Sequence, residues 1–252
     1  MIIDIHVHTE ATPGGLPLIE VAKAAKAAGL DAIVVTDTAR AADPVVLERV
    51  AKEAGISVFA GVELPMDRGK ILAIPPELGA SYGPAAWGAP DEDGFWDWED
   101  THSRLLDAGY ALVAVQPFDR GTASGIGENI YQLAGVHAVE VAVPRCSPLA
   151  HDQALEAALS LHLAAVAGSN TLSELGSLGA VATLFAASVN NQADLARELR
   201  AGDVWVIQLG GGLKLQAETE RPFERRGGDR GGDRDRDRGR DRDRDRGRPR
   251  RR

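Results

Sequence analysis

The sequence predicts an α/β domain of parallel β/α units, closed or nearly closed into a small irregular barrel, and then a charged tail. Seven short apolar runs alternate with amphipathic helical segments over residues 1–209. Helix start and stop residues fall between those runs, as repeated β/α units require. After "VWVIQLGGG" (204–212) the apolar content collapses into arginine, aspartate and glycine.

Taken in order, "MIIDIHV" reads as a strand, and "LPLIEVAKAAKAAG" (16–29) as a helix stopped at Gly29. "DAIVVTD" (31–37) is the next strand. "DPVVLERVAKEAG" (43–55) is a helix with Asp43 at its N-cap, Pro44 in its first turn and Gly55 as its stop. "ISVFAGVEL" (56–64) and "KILAIP" (70–75) read as strands. Residues 76–98 break the rhythm with proline, glycine, acids and Trp87, Trp96 and Trp98. Such an insertion serves as a lid or interaction surface, or packs its tryptophans back on the barrel. The rhythm then resumes with a helix at 98–109, strands at 110–116 and 136–143, a helix at 149–161 and a strand at 162–169. The expected organisation is a domain over 1–209, a linker over 210–220 and a tail over 221–252.

A chain of 252 residues that is 44% hydrophobic supports a sizeable core. Cys146 is the only cysteine, which excludes an intrachain disulfide and points to a reducing compartment. No apolar run reaches membrane-spanning length and no secretory leader is evident, so a cytoplasmic protein without membrane contact is expected. Charge is unevenly spread. Residues 1–220 hold 13 Lys and Arg against 29 Asp and Glu, a net of −16; residues 221–252 hold 15 Arg against 8 acids, a net of +7. An acidic body is a poor surface for nucleic acid, whereas the tail suits a polyanion.

The tail over 221–252, with its run "GGDRDRDRGRDRDRDRGRPRRR" (231–252), cannot build a core and is expected to be disordered. Strict Asp–Arg alternation would set like charges four apart on a helix, which weakens it. The tail is expected to bind RNA or another polyanion, or a protein partner, through Arg234, Arg236, Arg238, Arg242, Arg244 and Arg246. A slipped repeat without a role and an arm lying on the acidic body are the competing readings.

The chemistry-bearing stretch is "DIHVH". Alternation along a strand sends Asp4, His6 and His8 to one face, and two imidazoles with a carboxylate at a strand end suit a divalent metal.

Together, "DIHVHTE", "AAGLDAIVVTD", "AGVEL", "VQP", "AVEV" and "AGSN" resemble, in order and spacing, the polymerase and histidinol phosphatase (PHP) superfamily across residues 1–209. The closing segment "VATLFAAS…ADLARELRAGDV" resembles that family's last strand–helix unit. The resemblance implies a distorted seven-stranded β/α barrel and phosphoester hydrolysis with up to three metal ions at the strand C-terminal ends. His6 and His8 match the first motif and Glu63 the bridging carboxylate. Six other ligand positions are altered. Pro13 and Asn170 stand where aspartates are expected; Thr38, Lys70, Gln116 and Leu172 stand where histidines are expected. Neutral oxygens bind zinc weakly and an ammonium repels it, so a multi-metal centre is not expected.

Two function classes follow. One is a weakened or inactive PHP-fold protein that acts by binding. Its ligand would be a phosphorylated small molecule near Lys70, Asp37, Gln116 and Asn170, with Arg68, Arg120 or Arg145 adding charge. The other is an active phosphoesterase using one divalent ion (zinc, manganese or iron) on His6, His8 and Glu63. An amidohydrolase, which also opens with HxH on a strand, ranks last because its further histidines and metal-bridging lysine are not matched. Metal-free and single-metal states are equally open from the sequence.

Overall fold

The computed structural model describes residues 1–79, 82–119 and 125–209. The linker and tail readings, including all six tail arginines, lie outside the described residues, as does Arg120. Among those described, ten short strands form two five-stranded sheets. The first sheet has the order β10-β9-β1-β2-β3, from Ile2–Val7 (β1), Ala32–Val35 (β2), Ser57–Ala60 (β3), Ala182–Phe185 (β9) and Val204–Ile207 (β10). The second has the order β4-β5-β6-β7-β8, from Val62–Met66 (β4), Gly69–Ile74 (β5), Ala111–Ala114 (β6), Ala138–Ala142 (β7) and Ala164–Ala167 (β8).

The α/β class agrees with the sequence reading, but the pairing is mixed rather than purely parallel. β1–β2–β3 and β6–β7–β8 are parallel, whereas β4–β5–β6 and β1–β9–β10 are antiparallel. Only Asp67 and Arg68 join β4 to β5, too few residues for a parallel crossover. The apolar run 56–64 is also two strands, separated at Gly61.

Helices α1 (Leu18–Ala27), α2 (Pro44–Ala54), α3 (Pro84–Trp87), α4 (Trp98–Asp107), α5 (Pro148–Ser160) and α6 (Gln192–Ala201) connect and cover the sheets. The Asp43 side chain accepts from Val45 N at 2.8 Å, and Gly55 closes α2 in the left-handed region at φ +67°. α1 and α2 pack Val21, Ala22, Leu47 and Val50 on the first sheet. On the second sheet lie Leu105 of α4, Ala154 and Ala157 of α5, and Trp87, Trp96 and Trp98 of the 76–98 insertion. All three tryptophans are buried, and Trp96 N donates to Pro65 O of β4. A third apolar layer, with Ile3, Ile5, Leu72, Ile74, Val113 and Phe185, takes Leu195 and Leu199 from α6.

Backbone bonds carry the first sheet onto the second at two places. Asn170 N donates to His6 O and His8 N to Thr171 O, both at 2.9 Å; Ala39 N donates to Glu63 O at 2.8 Å. The first contact requires Gly168: a Cβ there would lie 2.5 Å from His6 Cβ and 2.8 Å from His6 N. Gly168→Ala should therefore lower stability in chemical denaturation by about 1–3 kcal/mol. Gly176→Ala, where an added Cβ meets nothing within 4 Å, should change it by less than about 0.5 kcal/mol.

Candidate metal centre

The centre is built on three strands. β1 presents His6 and, one residue past its end, His8; β4 presents Glu63; β7 presents Glu140. His6, Glu63 and Glu140 are almost wholly buried and His8 nearly so. One donor atom each from His6, His8 and Glu63 lies within 4.8 Å of the others. Among the described residues no other trio of His, Cys, Asp or Glu converges in this way.

His6 is clamped from both sides. Its Nδ1 lies 2.8 Å from Glu140 Oε1, and its Nε2 lies 3.3 Å from Glu63 Oε2. The second contact is an ion-pair approach, for Nε2 makes no aligned hydrogen bond. Burial alone would push the His6 imidazolium down in pKa, but the two carboxylates outweigh it and hold it up at about 10. His8 goes the other way. Burial and the neighbouring His6 charge push it down to about 4, so its ring is neutral. His8 Nε2 lies 3.1 Å from Asn170 Oδ1. Burial would raise Glu63, but His6 and Lys70 hold its carboxyl well below the usual range.

Lys70, on β5, joins this network directly. Its Nζ lies 3.1 Å from Glu63 Oε1, the same oxygen that accepts from Thr38 Oγ1 at 3.2 Å. Asp37 is held otherwise. Oδ1 accepts from Thr9 N and Thr12 Oγ1, both at 2.7 Å, and Oδ2 from Thr9 Oγ1 at 2.6 Å. This clasp ties the end of β2 to the loop after β1. Gln116 follows Val115, whose N donates to Lys70 O at 3.0 Å. It is buried in the left-handed region at φ +41°, and its Nε2 has no hydrogen-bond partner among the described residues. Asn170, at φ +48°, is the second left-handed residue of the predicted set. Arg68 pairs with Glu99 at 2.8 Å and Arg145 with Glu174 at 3.4 Å, both exposed pairs.

Three participants escaped the sequence reading. Glu140 lies 134 positions from His6 in sequence. Its signal is a carboxylate inside the otherwise apolar strand "AVEVA". Thr9 and Thr12 carry none, being ordinary loop threonines. Asp4, read from strand parity as the carboxylate beside the histidines, instead turns Oδ1 to Ser169 N at 2.8 Å and His6 N at 3.3 Å. Burial pushes Asp4 up to about 6. His102 stacks on Trp98 in the outer layer, with ring centroids 5.4 Å apart.

The donor set fits one divalent ion. Two imidazoles and a carboxylate suit zinc, manganese or iron, and a carboxylate behind His6 is the outer support that metal-bound imidazoles use. An ion held by His6, His8 and Glu63 would supply a Lewis acid and lower the pKa of a water. The same residues do not fit a second ion, because Lys70 and Thr38 occupy the other oxygen of Glu63.

Without metal, the His6 charge stabilises the fold. Its folded pKa lies above its unfolded value, so this contribution is complete below pH 6.5 and is lost as pH rises through about 10. His6→Gln in chelator-treated protein should cost roughly 3–5 kcal/mol at pH 6, because it leaves two buried carboxylates facing a neutral amide. The deficit should shrink towards pH 10 in paired denaturation curves.

Residues 4–119 match the PHP domain family. No curated protein matches the chain. Among solved structures it resembles PsfC from Pseudomonas syringae PB-5123, at 20% identity and a TM-score of 0.60 over 83% of this chain and 91% of that one. It also resembles a two-domain protein from Bacteroides vulgatus ATCC 8482, described as containing a predicted PHP-like metal-dependent phosphoesterase. That match has 17% identity and a TM-score of 0.56, and covers 83% of this chain but only 65% of the Bacteroides protein. A third is an amidohydrolase from Chromobacterium violaceum, solved with bound sulfate and no metal, at 19% identity and a TM-score of 0.55 over 82% and 97% of the two chains. At such identities these likenesses establish the fold. With the domain matched over residues 4–119 and the His6–His8–Glu63 cluster, they support membership of the PHP superfamily, on a phosphoesterase-like fold.

Proposed function

We propose that this chain is a PHP-fold binding protein, weakened or inactive as a phosphoesterase, that holds a phosphorylated small molecule at the Lys70 end of its centre. The observation that carries this reading is the Lys70 ammonium 3.1 Å from Glu63 Oε1. It supplies fixed positive charge without metal, while its side chain stays 28% exposed and within reach of a ligand. Asn170 and the Gln116 amide, which has no partner among the described residues, supply further donors for phosphate oxygens. Asp37, its oxygens engaged by Thr9 and Thr12, serves to position the loop after β1. The sulfate-bound, metal-free Chromobacterium structure supports the idea that a protein of this fold holds an oxyanion without metal. Outside the described residues, the arginines of 221–252 form a second binding element for RNA or another polyanion. A single cysteine and the lack, among the described residues, of a helix long and apolar enough to cross a membrane agree with the cytoplasmic location proposed here.

A second reading is favoured by one observation: the donors of His6, His8 and Glu63 converge within 4.8 Å, with Glu140 behind His6. On it, the chain is a phosphoesterase in which His6, His8 and Glu63 would hold a single ion and Lys70 would orient the phosphate.

Three measurements on the full chain, purified without chelator, separate the two. Metal content by plasma mass spectrometry, phosphate binding by calorimetry and turnover of phosphomonoesters should give at most one ion, phosphate binding, and no turnover. Metal-dependent hydrolysis that vanishes in His8→Ala would overturn the binding reading in favour of the hydrolase. A second prediction concerns the tail. Deleting 221–252 should abolish RNA binding whose affinity falls steeply with salt. Unchanged binding after deletion removes the tail from the proposal.

A further inference from the structure

We infer that Lys70 sets how many metal ions this centre accepts, acting as a tethered cation in place of a second ion. The inference rests on the reading of His6, His8 and Glu63 as a cation-binding set, and concerns a residue that reading leaves outside the set.

The two oxygens of Glu63 have separate surroundings. Oε2 faces His6 Nε2 at 3.3 Å. Oε1 is taken by Lys70 Nζ at 3.1 Å and by the Thr38 hydroxyl at 3.2 Å. A carboxylate that gives one oxygen to each of two ions needs both open, and here one is taken by an ammonium and a hydroxyl. Strand pairing maintains this closure. Lys70 stands opposite Pro65 in the antiparallel β4–β5 ladder, two residues along from Glu63, and its carbonyl is held by Val115 N.

The other carboxylates around the centre are turned to other tasks. Both oxygens of Asp37 accept from threonines, and Asp4 Oδ1 accepts from Ser169 N. Glu140 Oε1 faces Nδ1 of His6, the nitrogen opposite the one that faces Glu63. This leaves Asp4 Oδ2 and Glu140 Oε2 as buried oxygens without a partner among the described residues. A divalent ion at the Lys70 position would have to displace the ammonium, and one at the His6 position feels its repulsion. Lys70 therefore weakens the first ion and excludes the second. It is a specificity-determining residue for metal occupancy, and it leaves the mouth of the centre positive whether or not an ion is bound.

The test is titration of the chelator-treated full chain with manganese(II), followed by calorimetry and by electron paramagnetic resonance, which reports coupled manganese pairs. Wild type is compared with Lys70→Arg, Lys70→Gln and Lys70→Met, each checked for unchanged melting. Wild type and Lys70→Arg should bind no more than one ion. Lys70→Gln and Lys70→Met should bind the first ion at least about tenfold more tightly and develop a coupled-pair signal at higher manganese. Gln retains a donor for Glu63 and Met retains an unbranched apolar side chain one atom shorter than that of Lys, so agreement between them assigns the effect to charge. Equal affinity and stoichiometry in all four proteins, no manganese in any of them, or two ions in wild type would each overturn the inference. Inorganic phosphate titrated into the same proteins reads the binding proposal separately. Phosphate binding that is lost in Lys70→Gln supports that proposal whatever manganese does, and its absence in wild type counts against that proposal alone.

Discussion

The site depends on one buried charge arrangement, the His6 imidazole held between Glu140 and Glu63. Each of these groups is expensive to bury alone, by several kcal/mol after relaxation. Together they are tolerable because each carboxylate meets the same cation, and Glu63 meets a second one in Lys70. The arrangement constrains the backbone as well. His6 belongs to β1, Glu63 to β4 and Glu140 to β7, so strands from both sheets must keep their relative register for it to form.

Around this core the loops after the strands are held by polar contacts rather than by packing. Asp37 gathers Thr9 and Thr12, and Asn170 meets His8 with its side chain while its backbone N bonds to His6 O. Ala39, Gln116 and Asn170 all adopt left-handed backbone just beyond strand ends. Non-glycine residues rarely rest there, and such strain collects where side chains must be aimed at a site. The Gln116 amide, without a partner among the described residues, belongs to the same pattern.

This geometry gives the proposed change of function a physical basis. A centre that depends on metal must balance its carboxylates with ions taken from solution. Here protonated His6 and Lys70 already balance Glu63 and Glu140, so the buried charges are satisfied by the chain itself. A fold does not dictate its chemistry, and small changes at strand ends redirect it. The His6–His8–Glu63 cluster keeps the capacity for one ion, and Lys70 opposes a larger cluster.

Much of the fold was legible in the sequence, because helix and strand periods and caps are local. Asp43 and Gly55 bound α2 where their types predict, and alternation along β1 turns His6 and His8 to one face. The antiparallel β4–β5–β6 pairing was less so, since apolar runs carry no sign of strand direction. The convergence of His6, His8 and Glu63 was readable, and the altered Lys70 position suggested charge beside them. Glu140 behind His6, the division of Glu63 between His6 and Lys70, and the Asp37 clasp were decided only by the tertiary structure. Those contacts join residues up to 134 positions apart. They exist only once strand order and register are set, and no local pattern of residues encodes either.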